Sequence, residues 1–66
     1  MNQVENLQVV DEKEAARIMR RAVQTLRNDR HLRRGVPYCK VGRSIRYLVE
    51  DINAYLLKRR IDPEEN

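Results

Sequence analysis

Residues 12–29, Glu12-Lys13-Glu14-Ala15-Ala16-Arg17-Ile18-Met19-Arg20-Arg21-Ala22-Val23-Gln24-Thr25-Leu26-Arg27-Asn28-Asp29, decide the fold, because they form either one long helix or two short ones. Ala15, Ile18, Met19, Ala22, Val23 and Leu26 keep an i, i+3, i+4 spacing with neither Gly nor Pro between them, so periodicity alone draws one helix to about Asp29. Coverage opposes this. Such a helix carries one long apolar stripe, and the chain beyond it offers only a small hairpin and a short helix to cover it. The start is clearer: Asp11 suits an N-cap, Glu14 three residues later can reach back to the cap amide, and Val10 can pack on Ala15. Glu12 and Glu14 also sit where the helix dipole favours negative charge.

Downstream, His31 to Pro37 contains Gly35 and reads as a loop. Tyr38-Cys39-Lys40-Val41 and Ser44-Ile45-Arg46-Tyr47 then flank Gly42-Arg43, a hairpin pattern. A two-residue turn would place Val41 and Cys39 opposite Ser44 and Arg46. A three-residue loop pairs Val41 with Ile45 and Cys39 with Tyr47, leaving Tyr38, Lys40 and Arg46 on the other face, and burial favours it. From Val49 the spacing is helical again, with Ile52, Tyr55 and Leu56 on one face, Glu50 and Asp51 in the first turn, and Lys58, Arg59 and Arg60 in the last. This organisation predicts a flexible arm over 1–8, one domain over 9–60 and a short acidic tail over 61–66. Its expected core is led by Val10, Ile18, Met19, Val23, Leu26, Val41, Ile45, Ile52, Tyr55 and Leu56, with Tyr47 also inside.

Charge points to a partner. Between Arg17 and Arg46 stand ten Lys and Arg residues and one carboxylate, Asp29, in a chain whose net charge is only +4. A field segregated in this way is the footprint of a polyanion binder, with nucleic acid the first candidate. A chain of 66 residues buries only about 60% of its unfolded surface and has little interior for a pocket of about 300 Å³. An enzyme is therefore not expected, and no cofactor is implied. Cys39 and His31 are the only Cys and His, too few for a structural zinc site. Cys39 is expected to be a small buried hydrophobe, and His31 a loop residue. No apolar run is long enough to span a bilayer, and no signal peptide is recognised, so a cytoplasmic location is expected. The acids at Glu12, Glu14, Glu50 and Asp51 are explained by their places at helix starts.

Several fragments, in order, resemble a known family: Lys13-Glu14-Ala15-Ala16, Val23-Gln24-Thr25-Leu26-Arg27-Asn28, Val36-Pro37-Tyr38, Lys40-Val41-Gly42-Arg43-Ser44-Ile45-Arg46-Tyr47, and Glu50-Asp51-Ile52 with Ala54-Tyr55-Leu56. Together they are similar to the small winged helix-turn-helix proteins of the excisionase and AlpA type, whose DNA-binding domain is related to that of MerR regulators. The likeness runs from about Val9 to Arg60. It implies a mainly α fold with a small β-hairpin: a helix, a recognition helix, a two-stranded wing and a C-terminal helix. It also implies a turn near Arg20-Arg21 and a second helix from about Ala22 to Arg30. The chain departs from the family at Arg20, where a turn Gly is usual, at Arg21, where a small apolar residue is, at Ala22, where Ser caps the helix, and at Asp29, where Trp or Tyr is common.

The resemblance implies that Gln24, Thr25, Arg27, Asn28 and Arg30 face the major groove, where Arg forks onto guanine, Gln or Asn onto adenine, and a Thr methyl meets a thymine methyl. A solvated polar face is the plainer account of the same residues. Lys40, Arg43, Ser44 and Arg46 would form the wing contact, and Arg20, Arg21, Arg33 and Arg34 would neutralise phosphates. The implied roles are control of excisive recombination in a prophage or similar mobile element, or regulation of transcription. Expected partners are double-stranded DNA, an integrase or RNA polymerase, and further copies of the chain on repeated sites. A rival reading is a protein interaction module built on one continuous amphipathic helix.

Overall fold

Asp11 joins the first strand to the first helix: its backbone pairs with Arg46 while its Oδ1 accepts the Glu14 amide at 2.8 Å. The computed structural model describes residues 8–65. The order is β1 (Val9–Asp11), α1 (Glu12–Met19), α2 (Val23–His31), β2 (Cys39–Val41), β3 (Ser44–Leu48) and α3 (Val49–Lys58), followed by a 3₁₀ turn over Pro63–Glu65. Most of the expected arm lies outside the described residues. Asp62, in the expected tail, lies 3.9 Å from the Arg60 guanidinium.

The long amphipathic stretch is two helices. Arg20 adopts the left-handed conformation at φ 56°, ψ 46°. Its amide donates to Arg17 O at 3.1 Å and the Arg21 amide to Ala16 O at 2.9 Å, the paired bonds of a Schellman ending. No glycine marks this turn, and an L-residue there carries strain of about 1–2 kcal/mol. Folding the stripe back lets α1 pack against α2, α3 and the sheet together. That coverage, absent for a continuous helix, offsets the strain. α2 starts at Ala22 without a side-chain cap, a loss of about 1 kcal/mol relative to Ser. It runs through His31, which is thus helical rather than part of the loop. Its end repeats the α1 ending, with Arg33 at φ 59° and the Arg34 amide on Asp29 O at 2.9 Å.

The expected two-stranded wing carries a third strand. The sheet order is β1-β3-β2, all antiparallel, with Val10 opposite Tyr47. The hairpin uses the two-residue turn: Val41 pairs with Ser44, Lys40 with Ile45 and Cys39 with Arg46. Gly42 takes φ 63° as the first turn residue, a geometry that favours Gly there. The three-residue register fails because burial does not act on β2, all of whose residues are exposed. Cys39 is exposed, Val41 is 61% exposed and Leu56 40%, so all three leave the expected core. Lys40 shares the face of Ile45, and Arg46 lies on the opposite face with Cys39.

The core consists of Ala15, Ala16, Leu26, Val36, Tyr47 and Ile52, flanked by Val10, Ile18, Met19, Val23, Ile45 and Tyr55. Burying Ile52 completely contributes about 1.5–3 kcal/mol. The two alanines let α1 approach its neighbours closely, and Val36 anchors the loop. Gly35, at φ 93°, lies so close to Asp29 that an added Cβ would sit 2.9 Å from the Asp29 Cβ. Arg59 covers the half-buried Tyr55, its guanidinium carbon 3.7 Å from the ring centroid. No helix among the described residues is long and apolar enough to cross a membrane.

Candidate nucleic-acid interface

Leu26 is buried at the centre of α2, and the 3.6-residue period then assigns the remaining side chains to faces. Gln24, Arg27, Asn28 and His31 form one exposed stripe at i, i+3, i+4 and i+7. Gln24 Nε2 donates to Asn28 Oδ1 at 3.1 Å, aligning two amide side chains along it. Thr25 is half-buried on the flank, and Arg30 turns inward with its side chain 16% exposed. The five expected recognition positions therefore divide into three outward, one lateral and one inward. His31 is the member that sequence reading missed, although its place seven residues after Gln24 marks it once the helix is known to extend that far.

Glu12 organises the arginines. Its Oε2 accepts Arg27 Nη2 at 2.6 Å and Nε at 3.1 Å, while Oε1 accepts Arg30 Nη2 at 3.0 Å. Arg30 Nη1 donates to the Tyr47 hydroxyl at 2.8 Å. The bond from Arg27, with further help from Arg30, holds the Glu12 carboxyl below the usual carboxylate range despite its partial burial. Glu12 thus has a second role beyond starting α1. Arg30 pairs with Glu12, and the neighbouring Asp29 accepts Arg34 Nε at 3.1 Å. Glu14 does not return to the cap amide: it accepts Arg17 Nε at 2.9 Å, and this bond lowers its pKa.

The hairpin stands beside the start of α1. Arg43, Ser44, Ile45 and Arg46 line an open groove of about 370 Å³ together with Asp11, Glu12, Lys13 and Arg30. Arg43 is exposed at the turn, whereas Arg46 Nη1 donates to the carbonyl of Ile45 at 2.8 Å. Lys40, although paired with Ile45, does not line this groove. Lys13 is a second basic residue that sequence reading had not assigned. Arg33 and Arg34 line a wider groove of about 560 Å³ with Arg30, Val36, Pro37 and the half-exposed Tyr38. Arg30 lies 5.7 Å from the Tyr38 ring centroid, so it borders both grooves. Arg20 and Arg21 are exposed at the α1–α2 turn, away from both.

The described residues contain no group of three or more His, Cys, Asp or Glu arranged to hold a metal ion. What the surface offers is cationic and hydrogen-bonding: an amide-rich stripe whose Arg27 is held by Glu12, and basic residues to either side. No family model matches the chain, and neither a curated protein nor a solved structure shows significant similarity to it.

Proposed function

We propose that this chain is a non-enzymatic, sequence-specific double-stranded DNA-binding protein with a winged helix-turn-helix architecture, α2 acting as recognition helix and the β2–β3 hairpin as wing. One observation carries the reading: the exposed Gln24, Arg27, Asn28 and His31 stripe belongs to a short helix packed on α1, and the start of α1 shares a groove with the hairpin tipped by Arg43. A stripe of these types can read base edges in the major groove. Arg43 suits the minor groove or the sugar-phosphate backbone, and Arg20, Arg21, Arg33 and Arg34 suit phosphates. The plainer account, a merely solvated face, leaves the segregation of ten basic residues against one carboxylate between Arg17 and Arg46 without a cause. Within this reading the output is direction of recombination or regulation of transcription, exerted in the cytoplasm through DNA geometry, self-association on repeated sites, an integrase or RNA polymerase. The interaction-module reading rested on a continuous helix, and the break at Arg20 removes that premise.

The test is fluorescence anisotropy with duplexes selected from a random library, compared with scrambled controls across a salt series. If about six phosphates are neutralised, log affinity falls against log salt with a slope of about −5. Binding without preference for the selected duplexes, or no binding at low salt, would overturn the reading.

A further inference from the structure

Four groups form a continuous relay from the core to the surface of α2. Tyr47 is buried in β3, Arg30 bonds its hydroxyl, Glu12 accepts Arg30, and the same carboxylate accepts Arg27. The partners lie 15 to 18 residues apart in the chain. At its outer end both bonds from Arg27 go to one oxygen, Oε2, and they come from Nε and Nη2. This occupies one edge of the guanidinium. The other edge, Nη1 with the second Nη2 proton, donates no bond to the described residues, and it carries the paired donors that fork onto guanine.

We propose that Glu12 is a positioning residue for base reading: it fixes the Nε edge of Arg27 so that the Nη1–Nη2 edge is presented outward, and its charge weakens the attraction of Arg27 for phosphate. The inference rests on the DNA-binding reading above. Two physical effects combine. An arginine already immobilised loses less rotamer freedom on binding, which favours the duplex with the correct base. A carboxylate beside it repels phosphate, which penalises duplexes that offer only backbone. Both effects raise discrimination rather than total affinity. Glu12 is suited to this because it is itself held through Arg30 and Tyr47.

The experiment compares Glu12→Gln with the unaltered protein on a selected duplex and its scrambled counterpart. Glu12→Gln should lower the affinity ratio about 3- to 10-fold, with the scrambled duplex bound more tightly and a steeper salt dependence. In an Arg27→Ala background, Glu12→Gln should leave the ratio unchanged, because the effect passes through Arg27; a role in folding alone would not be cancelled in this way. An unchanged ratio in Glu12→Gln, or an equal loss in the Arg27→Ala background, overturns the role of Glu12 and leaves the DNA reading standing. If the unaltered protein shows no preference between the duplexes, the DNA reading fails and the role of Glu12 fails with it. Should Glu12→Gln not fold, NMR of the unaltered protein decides: the Arg27 Nε–H must exchange with solvent more slowly than that of Arg43, and equal rates overturn the proposal.

Discussion

Arg30 of α2 and Tyr47 of the central strand β3 are joined by a hydrogen bond, with Nη1 donating to the phenol oxygen at 2.8 Å. Tyr47 is 1% exposed, so its hydroxyl brings the half-buried arginine into the edge of the core while Glu12 balances its charge. The pair ties the face of α2 to the central strand by a polar contact rather than by apolar packing. A short chain with six buried core residues among those described benefits from such a tie, because little apolar surface remains to fix the helix.

Tyr47→Phe removes the acceptor and leaves the ring in place. A hydrogen bond from a charged donor supports a loss of about 1.5–3 kcal/mol. Urea denaturation should show a lower midpoint at unchanged slope; an unchanged midpoint would mean that water replaces the phenol at no cost.

Arg20→Gly should stabilise the protein. The left-handed backbone at φ 56° strains any residue with a Cβ, and the gain of about 1 kcal/mol is partly offset by the greater freedom of Gly in the unfolded chain. Thermal melting should shift upward by up to about 4–8 °C. A downward shift would place position 20 inside a continuous helix, where Gly costs about 1 kcal/mol.

Acid should weaken the fold through Glu12. Its folded-state pKa lies below the ordinary value of 4.5, so the native state binds fewer protons there than the unfolded state. The stabilisation is therefore complete above about pH 4.5 and is lost as pH falls through the folded value. The difference in melting temperature between the unaltered protein and Glu12→Gln should shrink over that acid range; a constant difference would show that the ion pair does not act.

Cys39 should react with a thiol reagent in native buffer at nearly the rate of a free thiol, because β2 is exposed and pairs it with Arg46. Protection that lifts only on unfolding would restore the register in which Cys39 faces Tyr47. Val41→Thr, on the same exposed strand, should change stability by less than about 0.5 kcal/mol.

Arg27 and Arg43 should fail differently on DNA. Arg27→Ala should cost about 1–3 kcal/mol on the selected duplex and relax preference at one base. Arg43→Ala should weaken all duplexes alike and reduce the salt slope by about 1. Anisotropy on a panel of single-base variants separates these patterns, and identical behaviour would remove the groove assignments.

Local chemistry made much of the architecture legible. Asp11 begins α1 because a carboxylate three residues before Glu14 can take its free amide, and Gly42 marks the hairpin because positive φ suits Gly. Ile52 and Tyr55 show the buried side of α3, and the basic centre shows where an anionic partner would approach. Each signal acts within a few residues of its cause. The turn at Arg20 is of another kind: periodicity runs through it and no Gly marks it, so only the resemblance and the need to cover an apolar stripe pointed there.

Tertiary structure decided what depends on distant partners. A three-residue strand at Val9–Asp11 has too short a pattern to be read, and it exists because β3 offers a free edge. The hairpin register followed turn geometry because no core lies under β2 to reward the alternation of Cys39 and Val41. Glu12 looked like a helix-start acid, and its grip on Arg27 and Arg30 arises only when α2 folds back across α1. Sequence by itself determined the starts of α1 and α3, the hairpin and the charge; the chain's return on itself decided which arginines face outward and which are held, because an ion pair between residues 15 or 18 positions apart has no local signature.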